Sequence, residues 1–285
     1  MRRSERTAWA LEMVAIPLFL LTLFPFFIVL IGSSKTPFEI GQNPFGLPSD
    51  WTNLWKNIAY IWTEKNIRYQ SSFVASLLIT AGSLTLLTLL SSQAAWALVR
   101  ARTKFSSFIF IVLVAAMVIP FQILMLPMVA WFRMIGDTIG IRLLRDYAGM
   151  LLAYVGFGTS LSIFIYHGFI KGIPLELEEA AQIDGLNHFG IFYKITFPLL
   201  APIHVTVIVL NGIWIWNDYL LPLLILGKGK SLMTVPLAVS NFAGAYVKQW
   251  DLIMTAILMA MLPVILVFLL AQKYIVKGMV AGAIK

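Results

Sequence analysis

Few residues of this sequence are of the types that perform covalent or metal chemistry. The 285 residues include no cysteine and three histidines, His167, His188 and His204. No two of these histidines stand at the spacing of zinc ligands, and no cluster of carboxylates accompanies them. No serine–histidine–aspartate set and no pair of carboxylates suited to acid–base catalysis can be recognised. The sequence therefore predicts a chain without a catalytic centre, a metal site or a cofactor of its own.

Residues 227–231, with the sequence Gly-Lys-Gly-Lys-Ser, resemble part of a phosphate-binding loop. The full pattern requires a further glycine where this chain has Leu224, and it follows a β-strand. Here the run follows a long apolar segment instead. We therefore expect no nucleotide to bind at residues 227–231.

Polar residues inside apolar segments are the remaining candidates, because burying them in a bilayer is costly. Asn211, Asn217 and Asp218 stand close together among aromatic residues. Aromatic rings stack on the faces of sugars, while amides and carboxylates bind sugar hydroxyls. Two hypotheses stay open: a path for a sugar, or hydrogen bonds between helices worth only about 0.6–2 kcal/mol each. The predicted path consists of Asn211, Trp214, Asn217, Asp218 and Tyr219.

The composition indicates what surrounds these residues. The chain is 60% hydrophobic and 12% charged, with a mean hydropathy of +0.86, whereas an ordinary soluble domain carries about 25% charged residues. Such a chain could not cover its surface with polar groups in water, so a bilayer is its expected surroundings. The net charge of +8 comes from basic residues scattered among short connecting segments. We expect them to lie at the membrane interface rather than to bind nucleic acid.

Six apolar segments are long enough to cross a bilayer as helices, which takes about 20 residues each. The sequence therefore predicts an all-α, polytopic membrane protein whose residues 1–285 form one transmembrane domain. Both termini would lie on one side of the membrane. The 21 Lys and Arg residues divide almost equally between the two sides, so the positive-inside rule barely decides the orientation. The predicted spans are about 9–31, 71–99, 105–132, 148–170, 199–226 and 252–276.

The segment 171–198, between the fourth and fifth spans, is acidic and is predicted to form a helix, a turn and a second helix. Pro174 suits the first helical position, Glu176 suits the first turn, where the helix dipole favours negative charge, and Gly185 suits a left-handed helix end.

A helical wheel places Glu178, Glu179 and Gln182 on one face of the first helix. Leu177, Ala180 and Ala181 lie broadly opposite, and the two alanines would leave a flat surface that another backbone can approach. The segment is either a solvated connection or a rigid lever that moves both flanking spans when a partner pushes it.

The same segment resembles the cytoplasmic signature loop of ABC-importer permeases. The pattern of that family is Glu-Ala-Ala, three residues, Gly, nine residues, Ile, one residue and Leu-Pro. This chain has Glu179-Ala-Ala, Gly185, Ile195 and Phe197-Pro198 at that spacing, with Phe197 in place of the usual leucine. The chain also resembles the carbohydrate branch of this family, in particular the smaller permease of the maltose type. The segments that carry this resemblance are Asp184-Gly185, Pro198-Leu-Leu-Ala-Pro202, Trp216-Asn-Asp-Tyr219, Thr234-Val-Pro-Leu237 and the tail from Gln272 to Lys285.

This resemblance implies a non-enzymatic, multi-pass subunit of the bacterial inner membrane that imports a sugar or oligosaccharide. Both termini and the signature loop would be cytoplasmic. The implied partners are a second, homologous permease in a heterodimer, two ATP-binding subunits that hold ATP and Mg²⁺, and a periplasmic or extracellular solute-binding protein. Residues 175–184 would be the coupling helix that docks on an ATP-binding subunit, so that ATP hydrolysis drives alternating access. The coupling residues would be Glu178, Glu179, Ala180, Ala181, Asp184 and Gly185.

Residues 227–250 resemble the periplasmic loop with which this family reaches into the sugar cleft of the binding protein, the alternative being an ordinary surface loop. The middle of this segment is small, polar and aromatic, at Ser240, Asn241, Gly244 and Tyr246.

The sequence does not name the sugar. A slight excess of basic over acidic residues in the outside segments mildly favours an anionic or oligomeric saccharide. The alternative function is a self-contained secondary transporter, which usually shows internal repeats and intramembrane ionisable groups. This chain shows no repeat, and its ionisable candidates near span ends are Glu12 and Asp218.

Overall fold

The computed structural model describes residues 2–227, 232–245 and 249–283, and within these ranges the chain forms helices and loops without a β-strand. Side chains are described except at residues 2–8, 10, 241–245, 271 and 273–283. The prediction of an all-α protein is confirmed. Helices suit an apolar chain because each one satisfies its own backbone hydrogen bonds without water.

The helices follow one another with short connections. The first seven are α1 (Arg2–Ser33), α2 (Pro37–Gln42), α3 (Thr52–Thr63), α4 (Tyr69–Ala101), α5 (Lys104–Ala116), α6 (Phe121–Ile139) and α7 (Tyr147–Ile170). The loop after α7 holds α8 (Glu176–Ile183), α9 (His188–Ile191), a π-helical turn (Phe192–Thr196) and α10 (Phe197–Leu199). The remaining helices are α11 (Ala201–Asn217), α12 (Leu220–Leu226), α13 (Val235–Ala245) and α14 (Trp250–Ala283).

Among the described residues, four helices are long and apolar enough to cross a membrane by themselves. These stretches are Leu11–Ser33, Tyr69–Ala101, Tyr147–Ile170 and Trp250–Leu270. They coincide with the predicted spans 9–31, 71–99, 148–170 and 252–276, which are therefore confirmed as helices. Two bent helix pairs raise the number of candidate spans to six if each pair crosses once.

The third predicted span, 105–132, is not one helix. Helix α5 ends at Ala116, α6 begins at Phe121, and the two axes differ by 105°. Pro120 stands at the break with an extended backbone, where its ring fixes φ and its nitrogen donates no hydrogen bond. Proline also disfavours the helical conformation of the residue before it, so the prediction of a continuous helix was wrong here.

The fifth predicted span, 199–226, is interrupted twice. The segment His188–Leu199 meets Ala201–Asn217 at an angle of 74°. Helix α11 then ends at Asn217, and Asp218 adopts an extended backbone before α12 begins. The prediction of one continuous helix over 199–226 was therefore also wrong.

The chain divides into two compact units. The first contains the residues up to Gln70 together with Ala238–Pro263. Within it, the carbonyl oxygen of Ser33 accepts hydrogen bonds from Asn57 Nδ2 at 3.0 Å and from Thr255 Oγ1 at 3.2 Å. This one carbonyl joins the end of α1 to α3 and to the first part of α14.

The second unit contains Ser71–Leu237 and the chain from Val264 onward. Its described core includes an apolar cluster around Leu87, Tyr154 and Ile215 and another around Tyr166 and Leu200. Helices α4, α7 and α11 supply most of these side chains. The acidic loop and the predicted sugar path both belong to this unit.

Candidate coupling surface and sugar path

The first helix of the acidic loop, α8, begins later than the sequence predicted. Leu175 is its N-cap residue, and the Leu175 carbonyl accepts hydrogen bonds from the backbone N–H groups of Glu178 and Glu179. Pro174 therefore precedes the helix, and its placement at the first helical position was wrong. A proline there still suits a helix start, because it fixes the backbone just before the first turn.

The end of α8 is as predicted. Gly185 has a φ of +85°, the left-handed conformation that glycine adopts without steric cost. The N–H of Leu186 donates to the carbonyl of Ala181 at 3.0 Å, and the N–H of Gly185 donates to that of Gln182 at 3.0 Å. These two bonds form a Schellman motif, which satisfies carbonyls that the helix end would otherwise leave free.

The orientation of α8 differs from the helical-wheel prediction. Glu178 and Ala181, three residues apart, are both 6% exposed and face the interior of the unit. Ala180 and Glu179 are exposed. Glu178 and Glu179 therefore do not share one face of the helix. Glu178 points inward because the interior offers it cationic and polar hydrogen-bond donors, whereas Glu179 points outward.

Glu178 lies in what we call the anchor cluster, formed by Trp96, Arg100, Glu178, Phe192 and Thr196. Arg100 Nη2 donates to Glu178 Oε1 at 2.8 Å, and Arg100 Nε lies 3.0 and 3.1 Å from the two carboxylate oxygens. Trp96 Nε1 is 3.1 Å from both oxygens, and Thr196 Oγ1 donates to Oε1 at 3.1 Å. One carboxylate thus joins α8 to α4 and to the π-helical turn.

Burial makes this ion pair a strong determinant of the position of α8. The side chain of Glu178 is 7% exposed and that of Arg100 is 14% exposed. Arg100 Nη2 also donates to the carbonyl of Ile173 at 3.2 Å, which fixes the chain just before the helix. Removing one partner of a buried pair typically costs about 3–5 kcal/mol, because the other charge is left buried without compensation.

The second part of the loop is braced against its neighbours by polar contacts. Gln93 Nε2 donates to the Tyr193 hydroxyl, which joins α4 to the π-helical turn. At the bend between α10 and α11, His204 Nε2 lies 3.0 Å from the carbonyl of Phe197, and His204 Nδ1 lies 2.7 Å from the Tyr166 hydroxyl. Hydrogen bonds therefore connect the loop to α4 through Gln93 and connect its end to α7 and α11 through Tyr166 and His204.

The outward face of the loop is apolar and surrounded by acidic residues. Leu177 is 45% exposed, Ile183 is 86% exposed and Phe189 is 74% exposed. Glu179 and Asp184 are exposed beside them. Exposed apolar residues on a short helix outside the membrane spans are typical of a surface that a protein partner covers.

The residues of the predicted sugar path lie in different environments, some buried between helices and others exposed. Asn211 is 2% exposed, and its Nδ2 donates to Ser162 Oγ at 3.1 Å and to the carbonyl of Val207 at 2.9 Å. It faces Gly158 of α7, where an added Cβ would lie 2.9 Å from Asn211 Oδ1. Asn211 is therefore used in the contact between α7 and α11 and does not reach an open surface.

Asp218 ends one helix and caps the next. Its Oδ1 accepts hydrogen bonds from the N–H groups of Leu220 at 3.0 Å and Leu221 at 3.4 Å, and its Oδ2 accepts one from the Tyr154 hydroxyl at 3.2 Å. The helix stops at Asn217, so Asp218 lies outside the helix that carries Asn211. Asp218 therefore forms hydrogen bonds within and between helices, which was the alternative to a sugar path that the sequence left open.

The other predicted path residues are accessible. Trp214 is 39% exposed and Tyr219 is 36% exposed. Asn217 is also exposed, and its amide donates to the carbonyl of Ile213 at 2.8 Å. A cavity of about 740 Å³ at the bend between α5 and α6 is lined mainly by apolar residues, including Met117 and Phe157, and by none of the predicted path residues.

Residues 88–281 match the family described as the inner membrane component of binding-protein-dependent transport systems. The chain belongs to this family. It is therefore a multi-pass, inner-membrane permease subunit of an ABC importer. The matched range contains the whole acidic loop, the anchor cluster and the predicted sugar path.

Two relatives resemble the permease over nearly their whole length. It is 39% identical to the probable starch degradation products transport system permease protein AmyC of Thermoanaerobacterium thermosulfurigenes, over 100% of both chains. It is 34% identical to the melibiose/raffinose/stachyose import permease protein MelC of Bacillus subtilis, over 92% of this chain and 91% of the relative. A solved bacterial ABC transporter that imports the acidic polysaccharide alginate shares the fold, with a TM-score of 0.76, 22% identity and coverage of 95% and 98%.

The predicted binding-protein loop of the permease is described only in part. Ser240 is exposed. Asn241 and Gly244 lie in α13, but their side chains are outside the described residues, as are Tyr246 and residues 228–231 of the phosphate-loop-like run. The role of these four loop residues stays a prediction.

Sequence reasoning missed the residues that hold Glu178 in place. Trp96 and Arg100 lie in the fourth helix, about 80 positions before Glu178, and no local pattern connects the two segments. One signal was available, because Arg100 is a basic residue at the end of an apolar span with Gln93 and Trp96 on the same helical face. Tyr154 was missed in the same way as the partner of Asp218.

Proposed function

We propose that this permease imports an oligosaccharide delivered by a solute-binding protein, together with a second, homologous permease and two ATP-binding subunits. The observation that carries the proposal is the full-length similarity to AmyC, whose name assigns it to starch degradation products. MelC, named for melibiose, raffinose and stachyose, supports the same class. These names favour neutral oligosaccharides over the anionic saccharide that the charge of the outside segments suggested. The likeness to the alginate transporter concerns the fold alone.

The coupling role of α8 rests on its geometry. Its outward face carries Leu177, Ile183 and Glu179, which suit a groove with an apolar floor and basic walls. Its inward face is bound through Glu178 to Arg100 of α4. A push on the outward face would therefore reach α4 through the ion pair and would reach α11 through the braced bend at His204. ATP and Mg²⁺ would be held by the partner subunits, and this chain would not hydrolyse ATP.

Orientation follows from the same proposal. If α8 docks on an ATP-binding subunit, the loop 171–198 and both termini are cytoplasmic, and residues 227–250 face the binding protein. Trp214, Asn217 and Tyr219 are then the accessible members of the predicted path and would contact the sugar, while Asn211 and Asp218 hold the helices that carry them.

Uptake by the reconstituted transporter tests the proposed function. Liposomes that contain this permease, the second permease and the ATP-binding subunits should accumulate maltotriose only when ATP and sugar-loaded binding protein are both supplied. An acidic oligosaccharide of the same length should be taken up more slowly. Uptake without ATP that follows an ion gradient would instead establish the alternative, a secondary transporter.

Substitution of the two asparagines of α11 separates the sugar path from the helix contact. Asn217→Ala should raise the KM for the sugar about three- to tenfold without lowering the amount of assembled transporter, since a neutral hydrogen bond contributes about 0.5–1.5 kcal/mol. Asn211→Ala should instead lower the amount assembled, because it removes the buried hydrogen bond to Ser162 that joins α11 to α7. An unchanged KM in Asn217→Ala would remove that residue from the sugar path.

A further inference from the structure

A small basic cavity lies where three helices of the second unit meet. Its volume is about 300 Å³, and it is enclosed by the end of α4, the start of α5 and the end of α7. Helices α4 and α7 are membrane-spanning candidates that end at Ala101 and Ile170. The cavity therefore lies at the level where these spans leave the bilayer.

Two unpaired basic residues, Arg102 and Lys171, stand at this cavity. Within the described residues, neither forms an ion pair or a hydrogen bond through its side chain. Arg102 also borders a second cavity with Glu178 and Glu179. Glu178 is occupied by Arg100, Trp96 and Thr196, and among the described residues neither carboxylate forms an ion pair with Arg102. Arg102 also has a φ of +49°, a left-handed conformation that is unfavourable for a residue with a Cβ and that recurs at ligand-binding positions. The residues that line the cavity include two cations and no carboxylate, so the cavity favours an anion.

The remaining wall combines Ser106, Ser107 and His167 with the apolar residues Leu98, Val99, Phe110 and Ile111. Its apolar side continues along the exposed surface of α5. Phe110 stacks on His167 with ring centroids 3.7 Å apart and closes the inner side. Ile111 is 64% exposed, and Phe108 and Val112, on the outer surface of α5, are 62% and 49% exposed. A ligand held here would place its anionic group against Arg102 and Lys171 and an apolar part along α5.

We propose that this cavity binds the phosphate of an anionic membrane phospholipid, of the phosphatidylglycerol or cardiolipin class, with its acyl chains lying on α5. Basic pockets between membrane helices bind such headgroups, and the guanidinium of Arg102 suits a phosphate because it can donate two parallel hydrogen bonds. The exposed apolar side chains of α5 beside the cavity favour a lipid over free phosphate. The proposal depends on the membrane location of the chain and not on the identity of its sugar.

Photo-crosslinking to the complete transporter tests this site. The transporter is placed in nanodiscs of phosphatidylcholine with a small fraction of phosphatidylglycerol that carries a diazirine in one acyl chain. We expect the label on residues 98–112. Each basic residue near an anionic surface changes affinity about fivefold, so Arg102→Gln with Lys171→Gln should weaken labelling roughly 30-fold. The charge-preserving pair Arg102→Lys with Lys171→Arg keeps both charges and one guanidinium at the cavity and should retain most of the labelling. The matched control Lys56→Gln with Lys65→Gln should leave labelling unchanged.

Four results would overturn the proposal. Equal labelling by a diazirine-bearing phosphatidylcholine, or full labelling of the double glutamine variant, would show ordinary boundary lipid. Competition by inorganic phosphate as effective as that by unlabelled phosphatidylglycerol would show a site for a free anion. Labelling that appears only when the ATP-binding subunits are omitted would show that a protein partner covers the cavity.

Discussion

Replacing Glu178 with alanine should uncouple the transporter, although the exposed faces of α8 are untouched. The substitution leaves the guanidinium of Arg100 buried without its carboxylate, and breaking a buried ion pair in this way costs about 3–5 kcal/mol. Helix α8 loses its attachment to α4 at the same time. We expect sugar uptake to fall by roughly tenfold or more, and ATP hydrolysis to lose its stimulation by sugar-loaded binding protein, because a change of 1.4 kcal/mol already alters an equilibrium tenfold.

Glu176, which lies two residues before Glu178 in the same helix, provides a matched control. Glu176→Ala removes the same charge from an exposed position of the same helix and should change uptake by about twofold or less, since an exposed charge near a helix start is worth about 0.3–1 kcal/mol. Glu178→Gln should be intermediate, because its amide oxygen can still accept from Trp96 and Thr196. If Glu178→Ala transports as well as Glu176→Ala, the anchor cluster plays no part in coupling.

Gly185→Ala should weaken coupling through the backbone alone. No atom lies within 4 Å of a Cβ added at Gly185, so the cost comes from its φ of +85° and amounts to about 1–2 kcal/mol for a residue with a Cβ. A change of that size alters a conformational population roughly 5- to 30-fold. We expect the alanine variant to insert and assemble, with stimulated ATP hydrolysis reduced within that range.

Gly140 provides the control for Gly185. It ends α6 with a φ of +73° and likewise has open space around an added Cβ. Gly140→Ala therefore carries a similar backbone cost at a site outside the acidic loop, and we expect its coupling to match that of the unmodified protein. Equal losses in both variants would indicate general destabilisation rather than misdirection of the chain that follows α8.

The parts of this fold that were predictable from sequence are those set by local patterns. The long apolar stretches of α4 and α7 predict helices because nothing within them interrupts the backbone. The end of α8 at Gly185 was predictable since a left-handed helix end depends on the residue at that position. The breaks near Pro120 and Asp218 had local signals, a proline and a capping carboxylate, but apolar residues on both sides of each break concealed them.

The location of the candidate site in the chain was predictable, but which side of α8 is turned toward the protein interior was not. The helical wheel of α8 gives relative directions among its residues, but it does not say which direction is inward. That depends on Arg100, which lies 78 positions earlier in the chain and meets Glu178 only after α4 and α8 pack together. The same holds for Asn211, whose spacing suggested a path for sugar and whose environment, Ser162 and Gly158, places it between helices.

The exposed face of α8 is proposed to dock on an ATP-binding subunit in the cytoplasm. A photo-reactive benzoylphenylalanine at Ile183, which is 86% exposed, tests it in the assembled transporter within intact cells. We predict a crosslinked product that contains this permease and the ATP-binding subunit, and no such product from the same residue at Gln42, an exposed position of α2. Crosslinking of Ile183 to the solute-binding protein, or to no subunit at all, would contradict both the coupling role and the orientation.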